Sequence, residues 1–327
     1  MEEIADEQPP PPPLNTPLLK NTELSDTLDF SKIFFKFEGN GPTGTQKDRI
    51  SYAHVMNARD LGFTKIAVAT CGNYGASLSY YANKARLSTY VLIPKDYSNS
   101  RSREIESYGS NVLLMPGKYE DSVEFLHRNA KSLGWYDASP GSEYSSLDLR
   151  AYSNIAKEIV EQLGHAPAYV AVPVGNGTTF AGIYLGFKKM QLNGDIDILP
   201  RMIASSTSSG NPIISSFSAG LRDLIELPPE AIIESYVNEP LVSYRSYDGQ
   251  LALNGLYDTN GIAVPVSDHN MIRYAQIIRE RIGINVLPAS ASALAAVSMG
   301  LSRMDKEEEC VVVLTGRDNN GNSHSTF

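Results

Sequence analysis

The stretch Lys65–Ile93, KIAVATCGNYGASLSYYANKARLSTYVLI, decides the fold. It opens with an apolar run of strand length, passes through two glycines into a segment of helical length, and closes on a second apolar run. A strand, a helix and a strand within about 30 residues make up one βαβ unit, in which the two strands are parallel. The stretch therefore predicts an α/β protein built on a parallel sheet.

The same alternation continues along the chain. "NVLLM" predicts a further strand and "YEDSVEFLHRNAKSLG" a helix, and the later apolar runs "AYVAVP", "RMIAS", "IAVPV" and "CVVVL" are again separated by helical patterns. We therefore expect two lobes, each with a mostly parallel twisted sheet flanked by helices. The loop-rich "SPGSEYSS", from Ser139 to Ser146, is the best seam between them.

The expected boundaries follow from that seam. Residues 36–147 are expected to form a smaller lobe, and residues 16–35 with 148–327 a larger one. Residues 1–15 are acidic and then proline-rich, which predicts a disordered tail. Residues 206–261 show little periodicity, and we interpret them as an excursion over the surface.

Composition narrows the classes of function. With 28 Lys and Arg against 37 Asp and Glu, the formal net charge is −9 and basic residues form no stripe, which argues against a nucleic-acid partner. No apolar stretch reaches the roughly 20 residues of a membrane helix. Cys71 and Cys310 are the only cysteines, which excludes a disulfide framework and fits a reducing cytoplasm. The five histidines lack metal-ligand spacing, so no metal site is expected.

The loop after "KIAVAT" carries polar chemistry. Gly72 and Gly75 permit a tight turn and close backbone approach, Asn73 offers a donor and an acceptor, and the next helix presents its first N–H groups. Ligands gather at the carboxyl ends of parallel strands, where this loop lies. An ordinary strand-to-helix turn with an asparagine cap explains the pattern equally well.

The loop after "AYVAVP" predicts an anion site. Gly175 and Gly177 flank Asn176, and Thr178 and Thr179 open the next helix, so backbone amides and hydroxyls could cradle a phosphate. The pattern also imitates the start of a dinucleotide fingerprint and thus a nicotinamide enzyme. However, that fingerprint needs a third glycine where Phe180 stands and an acidic residue at the end of the next strand.

Lys47 lies in "GPTGTQKDRI", at the start of a predicted helix. The N-terminus of a helix disfavours an ammonium group and attracts anions. Lys47 therefore either extends into solvent or acts as a neutral amine beside an anionic ligand. Thr315, at the end of "CVVVL", adds a hydroxyl group. An amine, an anion cradle, an amide and a hydroxyl together suit pyridoxal phosphate chemistry.

These motifs resemble a known family. "FEGNGPTGTQKDR" resembles the lysine motif of threonine synthases and of the other fold-type II pyridoxal phosphate enzymes, the tryptophan synthase β superfamily. The likeness extends to "TCGNYGASL", "VPVGNGTTFAG", "LPASASALAAV" and "VVVLTGRD", in the family's order and over about residues 34–318.

The resemblance implies roles for these positions and a cofactor, pyridoxal 5'-phosphate, held between the lobes of a homodimer. It makes Lys47 the Schiff-base lysine and proton shuttle, and it places Asn73 on the ring hydroxyl and Thr315 on the ring nitrogen. It assigns the cofactor phosphate to Gly175, Asn176, Gly177, Thr178 and Thr179. The substrate carboxylate would lie on Cys71, Gly72, Asn73 and Tyr74.

The sequence departs from the family at the position that selects substrate. Threonine synthases carry an "NPxRxxG" stretch whose arginine binds the substrate's phosphate. Here "EYSSLDLRAYSN" has Ser146 at that place and Arg150 one helical turn later, so both are candidate substrate-binding residues.

Three hypotheses about the function remain open, and the first two take an amino acid as substrate. The first is a threonine synthase-like carbon–oxygen lyase that converts O-phosphohomoserine and water into threonine and phosphate by γ-elimination and β-addition. The second is a β-replacement or dehydratase enzyme acting on serine, threonine, phosphoserine or an acylated serine, as cysteine and cysteate synthases do. The third is a non-catalytic protein that keeps the fold and binds the cofactor.

Overall fold

The computed structural model describes residues 15–24, 30, 32–70, 72–97 and 101–318. The chain forms two compact units, one of residues 41–147 and the other of residues 15–40 and 148–318 in the described part. The predicted tail lies outside the described residues except for Asn15.

The larger unit is built on a six-stranded sheet with the order β1-β2-β10-β7-β8-β9. Its strands are β1 (Leu18–Lys20), β2 (Lys32–Phe37), β7 (Tyr169–Pro173), β8 (Arg201–Thr207), β9 (Ile262–Val266) and β10 (Glu309–Leu314). All neighbouring pairs are parallel except β1 with β2. Strands β7 and β10 are buried almost throughout, as expected for a parallel sheet covered on both faces.

Helices cover this sheet. They are α5 (Ser146–Leu163), α6 (Thr178–Asn193), α7 (Pro212–Ser218), α8 (Gly249–Asp258), α9 (Asp268–Ile282) and α10 (Pro288–Gly300). Helix α10 packs on β7, β8 and β9 and is alanine- and serine-rich and almost wholly buried. Small side chains let this central helix approach the sheet closely, so it forms the middle of the core.

The smaller unit has a four-stranded, wholly parallel sheet with the order β5-β4-β3-β6. Its strands are β3 (Lys65–Ala69), β4 (Ser88–Pro94), β5 (Asn111–Met115) and β6 (Tyr136–Asp137). Its helices are α1 (Lys47–Asp60), α2 (Asn73–Lys84), α3 (Ser102–Ser107) and α4 (Tyr119–Leu133), and α5 begins at its end. The βαβ unit predicted from Lys65–Ile93 is β3-α2-β4, and the α/β prediction with two mostly parallel sheets is confirmed.

The unit boundary differs from the expected one. Residues 36–40 were expected in the smaller lobe, but β2 pairs with β10 of the larger sheet through Phe37, which lies opposite Leu314. The smaller unit therefore begins at Gly41, and the second boundary falls between Leu147 and Asp148, inside α5.

The interpretation of residues 206–261 as a surface excursion is wrong. The segment contains α7 and α8, and side chains from both, among them Ile213 and Leu253, are fully buried. Both helices are short, 7 and 10 residues, so their hydrophobic periodicity is weak in the sequence.

Among the residues that the structure describes, no helix is long and apolar enough to cross a membrane. Among the same residues, no group of three or more His, Cys, Asp or Glu side chains is arranged to hold a metal ion.

Candidate functional site

Lys47 is the first residue of α1 and is half-buried. Its Nζ atom lies 5.3 Å from the centroid of the Tyr74 ring, within the range of a cation–π contact. Tyr74 is 4 % exposed, and its hydroxyl donates to the carbonyl of Ala138 at 2.9 Å. The structure thus brings Lys47 and Tyr74 together, and the hydrogen bond to Ala138 holds the tyrosine ring in place.

Asp48 holds the turn that precedes Lys47. Its carboxylate accepts hydrogen bonds from the backbone N–H of Thr43 at 3.1 Å, from the Thr43 hydroxyl, and from the Ser77 hydroxyl at 2.7 Å. Burial raises the pKa of this carboxyl, while the hydrogen bonds from Thr43 and Ser77 act in the opposite direction. Asp48 therefore fastens the glycine-threonine turn to α2.

Gly72 and Gly75, at the start of α2, both lie where glycine is required. Gly72 has φ +136°, a conformation that side chains rarely adopt, and the Thr70 hydroxyl accepts from the N–H of Gly72 at 3.0 Å. A Cβ atom on Gly75 would lie 2.6 Å from a methyl of Val91, so α2 can approach the sheet only with glycine there. Cys71 lies outside the described residues.

Asn73 opens α2 and is held by Arg101. The Asn73 Oδ1 atom accepts from Nη1 of Arg101 at 3.0 Å, and Nη2 of the same arginine donates to the carbonyl of Thr43 at 2.9 Å. Arg101 also forms an ion pair with Glu104 at 2.7 Å. One guanidinium thus connects the lysine turn with the Asn73 loop.

In the larger unit, residues 175–179 form the turn from β7 into α6, whose 16 residues begin after Gly177 at φ +89°. The N–H groups of this turn lie at the N-terminus of a long helix, which favours an anion. A Cβ atom on Gly175 would lie 2.5 Å from the carbonyl oxygen of Pro240. Asn211, in the 206–261 segment, donates to the Gly175 carbonyl at 3.0 Å and so stabilises the turn.

The Thr178 hydroxyl has a partner within the larger unit. It donates to Oδ2 of Asp248 at 2.6 Å, while the backbone N–H of Asp248 donates to the Asn176 carbonyl at 3.0 Å. The backbone N–H of Thr178 lies at the helix start, where an anion is favoured. Thr179, the next residue of α6, is 8 % exposed.

Thr315 directly follows β10 and is 9 % exposed. Since β10 lies between β2 and β7 with all three parallel, Thr315 is at the same sheet edge as the 175–179 turn. The next residue is anchored to the "LPAS" stretch, because the N–H of Leu287 donates to the Gly316 carbonyl at 3.1 Å and the N–H of Gly316 donates to Ser290 Oγ at 3.4 Å.

Ser146 and Arg150 both lie on α5 and are exposed to solvent. They follow one another at the four-residue spacing of one helical face. In contrast to Lys47, Asn73 and Thr315, which are buried or half-buried, these two candidate substrate residues are exposed.

The residues present fit pyridoxal phosphate. Arginine can only donate, so the Asn73 atom that faces Arg101 must be the amide oxygen, and the amide nitrogen keeps its donors for an oxygen ligand. The 175–179 turn supplies backbone donors at a helix start, Lys47 an amine, and Thr315 a neutral hydroxyl. These groups match a phosphate, an aldehyde, a ring hydroxyl and a ring nitrogen.

Residues 11–316 match the family model described as pyridoxal-phosphate dependent enzyme. The chain belongs to this family. This pyridoxal-phosphate-dependent enzyme is 30 % identical over 307 residues to threonine synthase of Methanocaldococcus jannaschii. The alignment covers 92 % of this chain and 74 % of that protein. It is 28 % identical over 309 residues to threonine synthase of Methanosarcina acetivorans, with the same two shares.

Solved structures show the same fold. A pyridoxal 5'-phosphate-dependent aspartate racemase aligns with this pyridoxal-phosphate-dependent enzyme at a TM-score of 0.79, over 95 % of this chain and 92 % of that one. The identity is 17 %, so the likeness concerns the fold alone. The family match decides against the nicotinamide alternative.

Two residues of this pyridoxal-phosphate-dependent enzyme went unnoticed in the sequence. Arg101 stands in "NSRSRE", which has no motif character, and Asp248 precedes α8 in the weakly periodic segment. Only a hydrophobic pattern for α8 together with the acidic residue directly before it could have indicated Asp248. No sequence signal indicated Arg101.

Proposed function

We propose that the protein is a threonine synthase-like carbon–oxygen lyase that converts O-phosphohomoserine and water into threonine and phosphate. The observation that carries the proposal is the similarity to threonine synthases over 92 % of the chain. The half-buried amine of Lys47 at the start of α1 supports it as well.

In this proposal Lys47 is the reactive amine. When bound, pyridoxal phosphate supplies an aldehyde that condenses with an amine and a ring that withdraws electrons from an attached amino acid. Lys47 is the first residue of α1, and its Nζ atom lies 5.3 Å from the centroid of the Tyr74 ring. A helix N-terminus favours the neutral amine, which can take a proton from the substrate's α carbon and return it elsewhere.

The remaining cofactor contacts come from three loops. Backbone N–H groups of Gly175, Asn176, Gly177, Thr178 and Thr179 and the Thr179 hydroxyl hold the phosphate, while the amide nitrogen of Asn73 donates to the ring oxygen. Thr315 presents a hydroxyl, which is neutral, to the ring nitrogen. A neutral partner would leave that nitrogen unprotonated and would moderate the cofactor's electron withdrawal, which suits elimination and replacement more than transamination.

The substrate carboxylate is assigned to the start of α2. The N–H groups of Gly72, Asn73 and Tyr74 lie at the N-terminus of this 12-residue helix, where an anion is stabilised. The family resemblance assigns Cys71 to the same carboxylate. Asp48 and Thr70 fix the backbone around it through hydrogen bonds to Thr43 and Gly72.

A second candidate is a β-replacement or dehydratase enzyme acting on serine, threonine, phosphoserine or an acylated serine. The observation that favours it is Ser146 in place of the phosphate-binding arginine of threonine synthases. A serine hydroxyl cannot supply the charged, bidentate contact that arginine makes with a phosphate.

The two candidates are separated by a substrate panel. The purified protein with pyridoxal phosphate is supplied with O-phosphohomoserine, serine, threonine, phosphoserine or O-acetylserine, and released phosphate, threonine and oxo acids are measured. We expect threonine and phosphate in equal amounts from O-phosphohomoserine. If that compound is never turned over while serine or threonine yields an oxo acid, the first function is excluded.

Arg150 is the residue that refines this assignment. If it binds the substrate phosphate, Arg150→Ala raises KM for O-phosphohomoserine by about tenfold or more, since a charge-assisted contact contributes roughly 1.5–3 kcal/mol. Lys157→Ala, on the exposed face of the same helix α5, is the matched control and leaves KM unchanged.

We also propose a cytoplasmic homodimer. The dimer follows from the family resemblance, and the compartment from a chain whose two cysteines cannot build a disulfide framework. Sedimentation of the holoenzyme at several concentrations tests the dimer, and a single species at the mass of one chain contradicts it.

A further inference from the structure

Arg101 lies next to the proposed site without belonging to any of its motifs. Its Nε and Nη2 atoms donate to the two carboxylate oxygens of Glu104, at 2.8 and 2.7 Å. Nη2 also donates to the Thr43 carbonyl, and Nη1 donates to Asn73 Oδ1. Its side chain is 13 % exposed. The bidentate pair with Glu104 fixes the plane of the guanidinium.

These bonds are unlike those of an arginine that binds a substrate anion. The charge of Arg101 is matched by Glu104, and Nε and both Nη atoms are directed at protein oxygens. An incoming phosphate or carboxylate would have to replace these acceptors one by one. The guanidinium therefore acts on its protein neighbours.

The neighbour it determines is Asn73. A side-chain amide has an oxygen on one side and a nitrogen on the other, and the two orientations are nearly equal in shape. Because arginine can only donate, the bond at 3.0 Å selects the orientation with Oδ1 toward Arg101. The same choice turns the two N–H donors of Asn73 to the opposite side.

We propose that Arg101 is a positioning residue that fixes the Asn73 amide as a donor to the ring oxygen of pyridoxal phosphate. The inference rests on the contact that the proposed function gives to Asn73. Arg101 also holds the Thr43 carbonyl at 2.9 Å, so it sets the distance between the turn before Lys47 and the start of α2.

The electronic consequence has a definite sign. A donor on the ring oxygen stabilises its negative charge and weakens its attraction for the proton on the neighbouring nitrogen of the lysine–cofactor linkage. Loss of the donor therefore raises the pH at which this nitrogen loses its proton, which is seen as a change in the visible absorption band of the holoenzyme. A purely structural role for Arg101 would leave this midpoint unchanged.

The test uses holoenzymes of Arg101→Ala, Asn73→Ala and the double variant, with Arg128→Ala as control. Arg128 forms an exposed ion pair with Glu124 on α4 of the same unit. We measure the pH midpoint of the visible band and the dissociation constant of pyridoxal phosphate. Arg101→Ala is expected to raise the midpoint and to weaken cofactor binding by roughly five- to tenfold, the effect of one lost hydrogen bond. Arg128→Ala is expected to change neither quantity.

The double variant shows whether Arg101 acts through Asn73. Removal of Arg101 from the Asn73→Ala protein should shift the midpoint no further. If the two single effects on the midpoint add, or if Arg101→Ala leaves the midpoint at the wild-type value while Asn73→Ala changes it, the inference is wrong. If Asn73→Ala itself leaves the midpoint unchanged, the contact assigned to Asn73 fails, and the inference fails with it.

A second variant guards against misfolding. Arg101→Gln keeps a polar chain that can donate to the Thr43 carbonyl, but its amide no longer dictates the orientation of Asn73. It is expected to shift the midpoint in the same direction as Arg101→Ala. A wild-type midpoint in a folded Arg101→Gln protein overturns the inference.

Discussion

Thr178 donates its hydroxyl hydrogen to the carboxylate of Asp248 at 2.6 Å, joining the first residue of α6 to the residue before α8. The backbone N–H of Asp248 in turn donates to the carbonyl of Asn176. The turn proposed to hold the cofactor phosphate is therefore fixed by a segment more than 60 residues further along the chain.

Asp248→Ala should lower the free energy of unfolding by about 1–3 kcal/mol, because it removes the acceptor of a part-buried hydroxyl. Asp248→Asn should cost less, since the amide oxygen can still accept from Thr178. Urea unfolding of the three proteins measures the difference. Equal losses in the Ala and Asn variants would show that the hydrogen bond with Thr178 is not what Asp248 contributes.

Lys36 and Glu158 form a buried ion pair at 2.7 Å, with Lys36 fully buried and also bonded to the Thr16 carbonyl at 2.6 Å. Lys36→Met should cost about 3–5 kcal/mol of unfolding free energy because it leaves a buried carboxylate without its cation. The double change Lys36→Met with Glu158→Leu should recover part of that loss. A Lys36→Met protein as stable as the wild type in urea would contradict the prediction.

The stability contribution of Asp48 should depend on pH. Burial raises its pKa in the folded protein, so the folded state keeps the proton to higher pH than the unfolded chain does. Its contribution is therefore full below the ordinary aspartate pKa of about 3.9 and is lost as pH rises through the raised value. The stability of wild type minus that of Asp48→Asn should fall over this range in urea unfolding at a series of pH values. A difference that grows with pH would have the wrong sign.

Gly175→Ala should weaken cofactor binding by about tenfold or more, because the new methyl group would lie 2.5 Å from the Pro240 carbonyl oxygen and the turn must shift. Gly300→Ala is the matched control in the same unit, since its nearest neighbour would be 3.9 Å away. That change should be neutral or stabilise the protein by up to about 1 kcal/mol. The dissociation constant of pyridoxal phosphate and the urea midpoint measure the two effects. Equal dissociation constants for pyridoxal phosphate in the two variants would contradict the predicted clash between the new methyl group at position 175 and the Pro240 carbonyl oxygen.

The long elements could be predicted from the sequence because their periodicity is strong. β3-α2-β4 and the strand β10 follow directly from their apolar runs, and the two parallel sheets follow from the alternation. Strands β1 and β6, of three and two residues, and helices α7 and α8 are too short to give such a signal. Tertiary pairing with β10, not local pattern, places β2 in the larger unit.

The candidate site was predictable only where a motif carries it. Lys47, Asn73 and Thr178 stand in recognisable loops, whereas Arg101 and Asp248, which contact Asn73 and Thr178, come from ordinary sequence. Arg101 reaches Asn73 across 28 residues and Asp248 reaches Thr178 across 70. Such contacts depend on how helices pack, which local pattern does not encode.

Attachment of the cofactor to Lys47 is tested most directly by reducing the holoenzyme with borohydride, digesting it and locating the modified peptide by mass spectrometry. We expect a pyridoxyl phosphate group on Lys47 and, in Lys47→Ala, loss of both the label and the visible absorption band with the fold intact. A label on a different lysine, or an unchanged band in Lys47→Ala, would contradict this attachment.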